Sequence, residues 1–187
     1  MESKIRCAWC EKDDLYRDYH DNEWGNPVYD DATLFEFLVL ETFQAGLSWY
    51  TILSKRENFR KAFDRFDYEK IAQYNEIKVQ ELLLDAGIIR NQLKIRGTIS
   101  NAIAFMKVQE EFGSFSKYIW GFVNHKPIVN NLKSLAEIKS TTEISDLLSK
   151  DLKKRGFKFV GSTVVYAHMQ ATGMVDDHVA DCWKRKL

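Results

Sequence analysis

The sequence predicts an all-α fold, and three observations support that prediction. Apolar residues recur every three or four positions through most of the chain, which is the spacing of one helix face. No segment shows the sustained alternation of apolar and polar residues that marks a half-buried strand. The 187 residues are 45% hydrophobic and 13% aromatic, which is enough apolar material for one folded core. We therefore expect a single helical unit, at most with a small annex.

Polar residues placed before apolar runs mark the first predicted helices, because such side chains can cap a helix start. Asp30 and Asp31 can cap a helix that runs to about Ala45. After a Ser48 cap, the next helix is predicted from side chains spaced by three and four residues, namely Trp49, Ile52, Arg56, Phe59 and Phe63.

Caps and glycines also bound the later helices. One helix begins at Asn75 and ends at Gly87, and the next begins at Asn91. The Asn91 helix carries an apolar face of Ile95, Ile99, Ile103 and Met106. Further helices are predicted over Ser114 to Phe122, Thr142 to Arg155 before Gly156, and Ser162 to Thr172 before Gly173.

The charge balance excludes a strongly basic nucleic-acid-binding protein, because 27 basic residues face 27 acidic ones. Any surface that binds DNA therefore has to be local. Basic residues cluster at Lys153, Lys154, Arg155 and Lys158. Charge alone favours a solvated helix end there over a phosphate contact.

The chain has no segment that predicts a membrane or secretory protein. A membrane helix needs roughly 20 apolar residues, and no stretch approaches that length. The N-terminus lacks the apolar run of a signal peptide, so we expect a cytoplasmic protein. Three cysteines in such a chain argue against a disulfide framework and leave metal binding or free thiols as the options.

Five cysteine and histidine side chains are candidates for one four-coordinate zinc site: Cys7, Cys10, His20, His178 and Cys182. His178 and Cys182 are four residues apart, which on a helix places both side chains on one face. Either Cys10 or His20 could join Cys7 from the other end of the chain. The alternative is that the cysteines are small buried residues and the histidines lie at the surface. A zinc site of this kind would require the two chain ends to fold together.

An acidic residue, Glu41, lies among many aromatic residues in the first third of the chain: Trp9, Tyr16, Tyr19, Trp24, Trp49 and Tyr50. Glu41 shares an apolar helix stripe with Leu34 and Leu38. A buried carboxylate needs a partner, which is either an internal Arg or Lys or a polar ligand. Aromatic faces beside a carboxylate suit a flat cationic heterocycle, although aromatic density by itself is more often core packing.

The segment from Leu82 to Asn91 predicts two helices joined by a tight turn at Gly87. It has the form of a helix-hairpin-helix, in which backbone N–H groups at the start of the second helix hold a DNA phosphate. An ordinary connection between packed helices would have much the same sequence. The segment alone therefore leaves both interpretations open.

Eight segments together resemble the 3-methyladenine DNA glycosylase I family, and they occur along nearly the whole chain. The segments are CAW at 7–9, DLYRDYHDNEWG at 14–25, LETFQAGLSW at 40–49, KREN at 55–58, DAGIIR at 85–90, FVNH at 122–125, KKRGFKFVG at 153–161 and DHVADC at 177–182. Several long runs in one order are much more specific than any single motif.

The resemblance implies an all-helical fold of the helix-hairpin-helix glycosylase superfamily, with a helical core at about 30–160. It also implies a zinc-binding lobe formed by the two chain ends, from about 1–25 and 162–187. The family's ligands to one structural zinc ion match Cys7, His20, His178 and Cys182. Cys10 would then be an additional thiol.

The resemblance further implies the removal of 3-methyladenine from double-stranded DNA. We expect hydrolysis by water, because no aspartate follows the hairpin closely, and no strand cleavage, because no lysine is marked for Schiff-base chemistry. The family's base pocket matches Glu41 as the catalytic residue, with Tyr16, Tyr19, Trp49 and Trp9 as substrate-binding residues. We expect Glu41 to recognise the exocyclic amine and to support positive charge on the sugar, without acting as a general base. The expected DNA contacts are Gly46, Leu47, Gly87 and Lys153, and the expected state is a monomer.

Two other functions fit parts of the same sequence. One is a non-catalytic, zinc-stabilised protein that binds alkylated purines or damaged DNA. The other is a zinc hydrolase, which would keep one metal coordination position open for water.

Overall fold

The computed structural model describes residues 4–185, and these residues form a mostly helical fold. Short 3-10 segments lie at Ala8–Cys10, Asp64–Phe66 and Leu135–Glu137. Two very short strands, β1 (Ile128–Val129) and β2 (Val175–Asp176), pair in parallel. The α-helices are α1 (Asp14–Asn22), α2 (Asp31–Gln44), α3 (Trp49–Leu53), α4 (Arg56–Ala62), α5 (Tyr68–Ile71), α6 (Glu76–Leu84), α7 (Gln92–Phe112), α8 (Phe115–Gly121), α9 (Glu143–Lys154) and α10 (Ser162–Ala171).

The predicted capping residues begin the helices as expected. Asp30 Oδ1 accepts a hydrogen bond from Thr33 N at 2.8 Å at the start of α2. Side chains also cap α3, α6, α7, α8 and α9, from Ser48, Asn75, Asn91, Ser114 and Thr142. Each of these caps satisfies a backbone N–H group that the helix cannot pair internally. The all-α prediction is confirmed.

The predicted helix after Ser48 is wrong in one respect, because it is two helices. The chain leaves the helical conformation at Lys55, between α3 and α4. The Lys55 ammonium reaches Gly87 O at 3.2 Å in the turn after α6. Arg56 instead binds Glu23 Oε2 at 2.6 Å. These contacts with distant residues set the break, which local spacing could not indicate.

Three other features also differ from the sequence prediction: the end of one helix, one additional helix and two short strands. Helix α6 ends at Leu84 rather than Gly87, because the Asp85 carboxylate turns back to accept from Gly87 N at 2.7 Å. Helix α1 was not predicted, although Asp13 caps it by accepting from Tyr16 N. The two-residue strands are too short to give an alternating pattern.

Helix α2 lies at the centre of the fold, with nine of its fourteen residues buried. Its start is fixed by Asp31, which accepts from Phe115 N and Ser116 N at 2.8 Å each and so joins α2 to α8. The buried His168 of α10 contacts Leu34 O at 3.1 Å. Because this helix is buried on most sides, the Glu41 side chain near its C-terminal end is shielded from solvent.

The two chain ends come together, as expected for the predicted lobe. Where they meet, a small cluster of buried apolar side chains forms, which contains Cys7, Tyr19, Trp24, Phe37, Leu53, Ala171 and Cys182. Backbone hydrogen bonds also join them, including Trp183 N to Ile5 O at 3.0 Å. Residues 1–3 and 186–187 of the predicted lobe lie outside the described residues. Within residues 4–185, no helix has both the length and the apolar character needed to cross a bilayer.

Candidate functional site

A cavity of about 200 Å³ lies where α1, α2, α3 and α10 meet. Half of its lining residues are aromatic, and among the described residues Glu41 is the one carboxylate that lines it. The lining residues are Trp9, Tyr16, Tyr19, Trp24, Glu41, Gln44, Trp49, Ile138, Ala167 and Gln170. The structure therefore brings together the five residues predicted for the base pocket, and it adds five more.

Helix α1 supplies two of the aromatic walls, because Tyr16 and Tyr19 are one turn apart. The Trp9 and Tyr16 ring centroids lie 4.8 Å apart with the rings edge to face. Tyr19 packs against Trp49 with centroids 5.3 Å apart. These contacts fix the orientation of the aromatic rings that line the cavity. Tyr50 of the predicted aromatic group lies outside the lining and donates to Asp13.

Glu41 is 3% exposed, and Glu41 Oε2 has no hydrogen-bond partner among the described residues. Burial alone raises the pKa of Glu41 from its ordinary 4.5 to about 8. The buried Arg56 is engaged elsewhere, with Glu36 Oε1 at 2.5 Å and Glu23 Oε2 at 2.6 Å. The structure therefore gives no support to an internal Arg–Glu41 pair, and it leaves a carboxyl group directed at the cavity.

A second polar atom at the cavity also lacks a hydrogen-bond partner. The buried Trp49 Nε1 has no acceptor among residues 4–185. Burial raises the pKa of Tyr19 well above its usual range, and the neighbouring Glu41 charge raises it further. Burial also raises the pKa of Tyr16. The wall thus offers rings, an acceptor and a donor, which is the lining that a flat polar ligand requires.

Four side chains from the two chain ends converge beside this cavity: Cys7, His20, His178 and Cys182. Their ligand atoms all lie within 4.8 Å of one another. Cys7 Sγ lies 3.6 Å from His178 Nδ1, and Cys182 Sγ lies 3.3 Å from His20 Nε2. Such separations suit the edges of a tetrahedron around zinc, whose bonds to sulfur and nitrogen are about 2.3 and 2.0 Å. The set can hold a metal ion.

Hydrogen bonds orient both histidine rings of this cluster. His20 Nδ1 lies 2.9 Å from Asp21 Oδ1, and His178 Nε2 lies 3.3 Å from Trp24 O. Each ring therefore directs its other nitrogen at the cluster, as histidine ligands do. Gly25 permits this arrangement, because a Cβ there would lie 2.9 Å from His178 Nε2.

The folded positions of Cys10, His178 and Cys182 show which of the metal candidates lie together. Cys10 lies apart from the cluster and donates to Cys7 O at 3.1 Å. His178 and Cys182 do not lie on a helix, because the segment after β2 is a loop with a turn. The turn nevertheless brings Cys182 Sγ to 3.4 Å from His178 Nδ1.

The Gly46–Leu47 turn lies next to the cavity. A second cavity of about 220 Å³ includes both residues and shares Glu41, Gln44 and Ala167 with the first. Leu47 is 41% exposed, so part of its apolar side chain is in contact with solvent beside the two cavities. The turn therefore presents an apolar side chain at the mouth of the site.

The turn after α6 has a closely held backbone. Gly87 N donates to Asp85 Oδ1, and Gly87 O accepts from Lys55 Nζ and, at 3.4 Å, from Asn58 Nδ2. A Cβ on Gly87 would lie 2.9 Å from Asp85 Oδ1 and 3.2 Å from Asn58 Cβ. A side chain at this position would therefore require Asp85 and Asn58 to shift.

Lys153 is exposed in the last turn of α9. Of the basic cluster, Lys158 lies in a shallow groove beside the first turns of α7, with Leu93, Arg96 and Phe159. Arg155 binds Glu111 Oε2 at 2.7 Å and Asp151 Oδ2 at 2.6 Å. Of the four basic residues, Arg155 is therefore already paired with carboxylates.

Sequence reasoning missed several lining residues, above all Gln170, Ala167 and Ile138. They come from α10 and from the segment after Leu135–Glu137, far along the chain from Glu41. No local pattern distinguishes them. Gln44 and Trp24 lie within the segments that carried the resemblance and could have been assigned from it.

The comparisons with known proteins agree on one family. The family model for methyladenine glycosylase matches residues 9–185. The chain is 51% identical over 177 residues to "DNA-3-methyladenine glycosylase 1" of Escherichia coli (strain K12), which covers 95% of each protein.

Solved structures are equally similar. The chain resembles a 3-methyladenine DNA glycosylase I with a TM-score of 0.95 and 48% identity, over 97% of this chain and 100% of that one. It also resembles the Staphylococcus aureus 3-methyladenine DNA glycosylase I from a study of 3-methyladenine recognition. That comparison gives a TM-score of 0.94 and 37% identity, with 97% of each chain covered.

Proposed function

The chain belongs to the methyladenine glycosylase family and is a DNA glycosylase, and from this premise we propose that it removes 3-methyladenine from alkylated DNA by hydrolysis. One observation carries the proposal: the unpaired carboxyl group of Glu41 faces a cavity with aromatic walls. This is a receptor for a flat, positively charged base with an exocyclic amine.

The proposed binding step places the flipped base between the aromatic residues predicted for the pocket, Trp9, Tyr16, Tyr19 and Trp49. Because an aromatic ring attracts a cation through its face, these side chains favour the methylated, charged base over the neutral one. Glu41 accepts a hydrogen bond from the exocyclic amine. Burial raises the pKa of Glu41 to about 8, so the empty site holds a proton near neutral pH. The cationic base stabilises the carboxylate form and so favours loss of that proton when it binds.

The proposed chemical step requires little from the protein. The glycosidic bond breaks with its electron pair moving to the charged base, which leaves as a neutral molecule. Water then adds to C1′ of the sugar and releases a proton. The Glu41 carboxylate stabilises the positive charge that develops on the sugar, and we assign it no role as a general base. We infer a monofunctional enzyme, since no lysine lines the cavity among the described residues.

We propose that Leu47 fills the gap left in the duplex by the flipped nucleotide, with Gly46 forming the turn beside it. Insertion of an apolar side chain between base steps is a common way to stabilise such a gap. The α6–α7 turn would act as the helix-hairpin-helix. Gly87 keeps that turn tight, and the backbone N–H groups that follow it would contact a phosphate. Lys153 stays a weaker candidate for a phosphate contact. It lies in the last turn of α9, where a lysine is favourable at the helix C-terminus without any phosphate.

We propose that Cys7, His20, His178 and Cys182 bind one structural zinc ion. Two thiolates and two imidazoles at tetrahedral separations suit zinc better than the harder cations. Bound there, the metal would cross-link the two chain ends next to the cavity. Four protein ligands fill the tetrahedron and leave no position for a reactive water, so the geometry does not favour a zinc hydrolase. A monomeric state and a cytoplasmic location stay predictions of the sequence.

The test is to incubate the protein with methylated duplex DNA and to identify the released bases by chromatography. We expect free 3-methyladenine together with abasic sites in unbroken strands. A non-catalytic binding protein would retain the alkylated DNA without releasing any base, and that result would overturn the proposed activity.

A further inference from the structure

A second side chain of the cavity has a fixed polar orientation. Gln170 of α10 lines the same cavity as Glu41. Its Nε2 donates a hydrogen bond to Asp177 Oδ2 at 2.7 Å. Asp177 is 1% exposed and follows β2, so a buried carboxylate lies behind the glutamine.

Asp177 is itself held by two further donors. Tyr166 OH donates to Asp177 Oδ2 at 2.7 Å, and Asn130 Nδ2 donates to Asp177 Oδ1 at 2.7 Å. A carboxylate offers only acceptors, so the group that Gln170 turns towards it has to be its NH₂. The opposite orientation would place the amide oxygen against the carboxylate oxygen without a proton between them. The amide of Gln170 therefore cannot turn over.

The fixed amide determines what the cavity presents to a ligand. With Nε2 bound to Asp177, Gln170 Oε1 is the amide atom left for the cavity, and no donor among the described residues occupies it. Glu41 is a second acceptor on the cavity wall. Unlike Glu41, which becomes a donor when it takes up a proton, an amide oxygen is always an acceptor.

We propose that Gln170 is a specificity-determining residue that selects 6-amino purines over 6-oxo purines, and that Asp177 is the positioning residue that fixes it. The inference rests on the proposed function and extends it to the choice of base. An amino group at C6 has two hydrogens, one for Glu41 and one for Gln170. A 6-oxo group would place an acceptor against Gln170 Oε1, which has no proton to share. The Gln170–Asp177 pair would thereby discriminate against alkylated guanine, which is also cationic.

The test compares 3-methyladenine release with 7-methylguanine release from methylated DNA, as the ratio of the two kcat/KM values. Gln170→Met keeps the side-chain length and removes the acceptor. We expect its 3-methyladenine kcat/KM to fall on the order of tenfold, as for one lost hydrogen bond, while 7-methylguanine release does not fall. Asp177→Asn, which frees the amide to turn over, should also lower the ratio while leaving the lining residues intact.

Gln109→Met is the matched control. Gln109 Nε2 also donates to a carboxylate at 2.7 Å, that of Asp31, but it lies on α7 outside the cavity lining. This variant should leave the ratio unchanged. Because Asp177 adjoins His178, the metal content of Asp177→Asn is measured alongside its activity.

A second measurement avoids dependence on DNA binding and on Asp177→Asn folding. Quenching of tryptophan fluorescence would report binding of free 3-methyladenine and of 3-methylhypoxanthine, its 6-oxo analogue. We expect the wild-type protein to prefer the amino base and Gln170→Met to lose most of that preference.

Two results separate this inference from the function on which it rests. If the wild-type protein releases 3-methyladenine but Gln170→Met leaves both the kinetic ratio and the binding preference within twofold of wild type, the role of Gln170 is overturned and the proposed function stands. If the wild-type protein releases no 3-methyladenine, the proposed function itself fails.

Discussion

Tyr19 and His20 are neighbours on α1 and belong to two different sites. Tyr19 lines the cavity beside Glu41, whereas His20 joins the cluster of cysteines and histidines from the chain ends. Trp9 packs against both residues, with ring centroids 6.3 Å from Tyr19 and 5.4 Å from His20. Because one helix turn carries both sets of contacts, we expect a change in the cluster to shift the cavity wall.

The first prediction concerns the metal. We expect one zinc ion per chain, with removal by chelator costing at least several kcal/mol of unfolding free energy because the ion joins distant parts of the chain. Elemental analysis and thermal unfolding measure the two effects. Cys182→Ser should lose the metal, whereas Cys10→Ser should keep it, since Cys10 lies outside the cluster. Loss of zinc from Cys10→Ser with retention in Cys182→Ser would refute the ligand assignment.

The second prediction concerns stability and pH. The pKa of Glu41 is raised from 4.5 to about 8, so between these values the folded protein holds a proton that the unfolded chain releases. Stability associated with Glu41 is therefore present below pH 4.5 and is lost as the pH rises through 8. Glu41→Gln has no such loss. Its stability relative to wild type should increase by up to about 1.4 kcal/mol per pH unit in this window.

Urea unfolding of both proteins at pH 6, 7 and 8 would measure this difference under conditions that keep the thiol cluster intact. The control is Glu81→Gln on the exposed face of α6, which should run parallel to wild type. If the pH dependence of stability for Glu41→Gln also runs parallel to that of wild type, the Glu41 carboxyl group of the wild-type protein has an ordinary pKa.

The third prediction concerns Leu47. Leu47→Ala should reduce base release from duplex DNA by about tenfold, because the shorter side chain fills less of the gap in the duplex. Its stability should stay within about 0.5 kcal/mol of wild type, since Leu47 lies at the surface and is 41% exposed. Binding of free 3-methyladenine should not change. Leu147→Ala on α9, another exposed leucine, is the control, and equal losses in both variants would exclude a specific role for Leu47.

The fourth prediction concerns the turn after α6. Gly87→Ala places a methyl group against Asp85 and Asn58, so we expect a loss of about 1–3 kcal/mol in stability and weaker binding to undamaged duplex DNA. Gly121→Ala is the control, since a Cβ at Gly121 meets no atom within 4 Å. Fluorescence anisotropy measures the DNA affinity. Unchanged affinity in Gly87→Ala would remove this turn from the DNA-binding surface.

Much of the fold follows from local sequence. Polar caps such as Asp30 and Asn91 precede apolar runs, and both the caps and the helices are where these patterns indicate. The break at Lys55 could not be predicted, because the residues that stabilise it are distant in the chain.

The site divides in the same way. Glu41 could be identified because its place on an apolar helix stripe requires a buried carboxylate, and the burial is observed. Gln170 could not, since its importance depends on the approach of α10 to α2 and on the carboxylate of Asp177 behind it. Likewise, spacing left Cys10 and His20 as equal candidates. The family resemblance favoured His20, and the folded positions agree with it, because Cys10 lies outside the cluster.

The central claim is that the carboxyl group of Glu41 binds a cationic base and stabilises the positive charge that develops on the sugar as the base leaves. The most direct measurement is the single-turnover rate of 3-methyladenine release by Glu41→Gln, under conditions where the variant is saturated with alkylated DNA and retains its zinc. The account predicts a rate reduced by about 100-fold or more, as for loss of one preorganised electrostatic contact. A rate within threefold of wild type would contradict it.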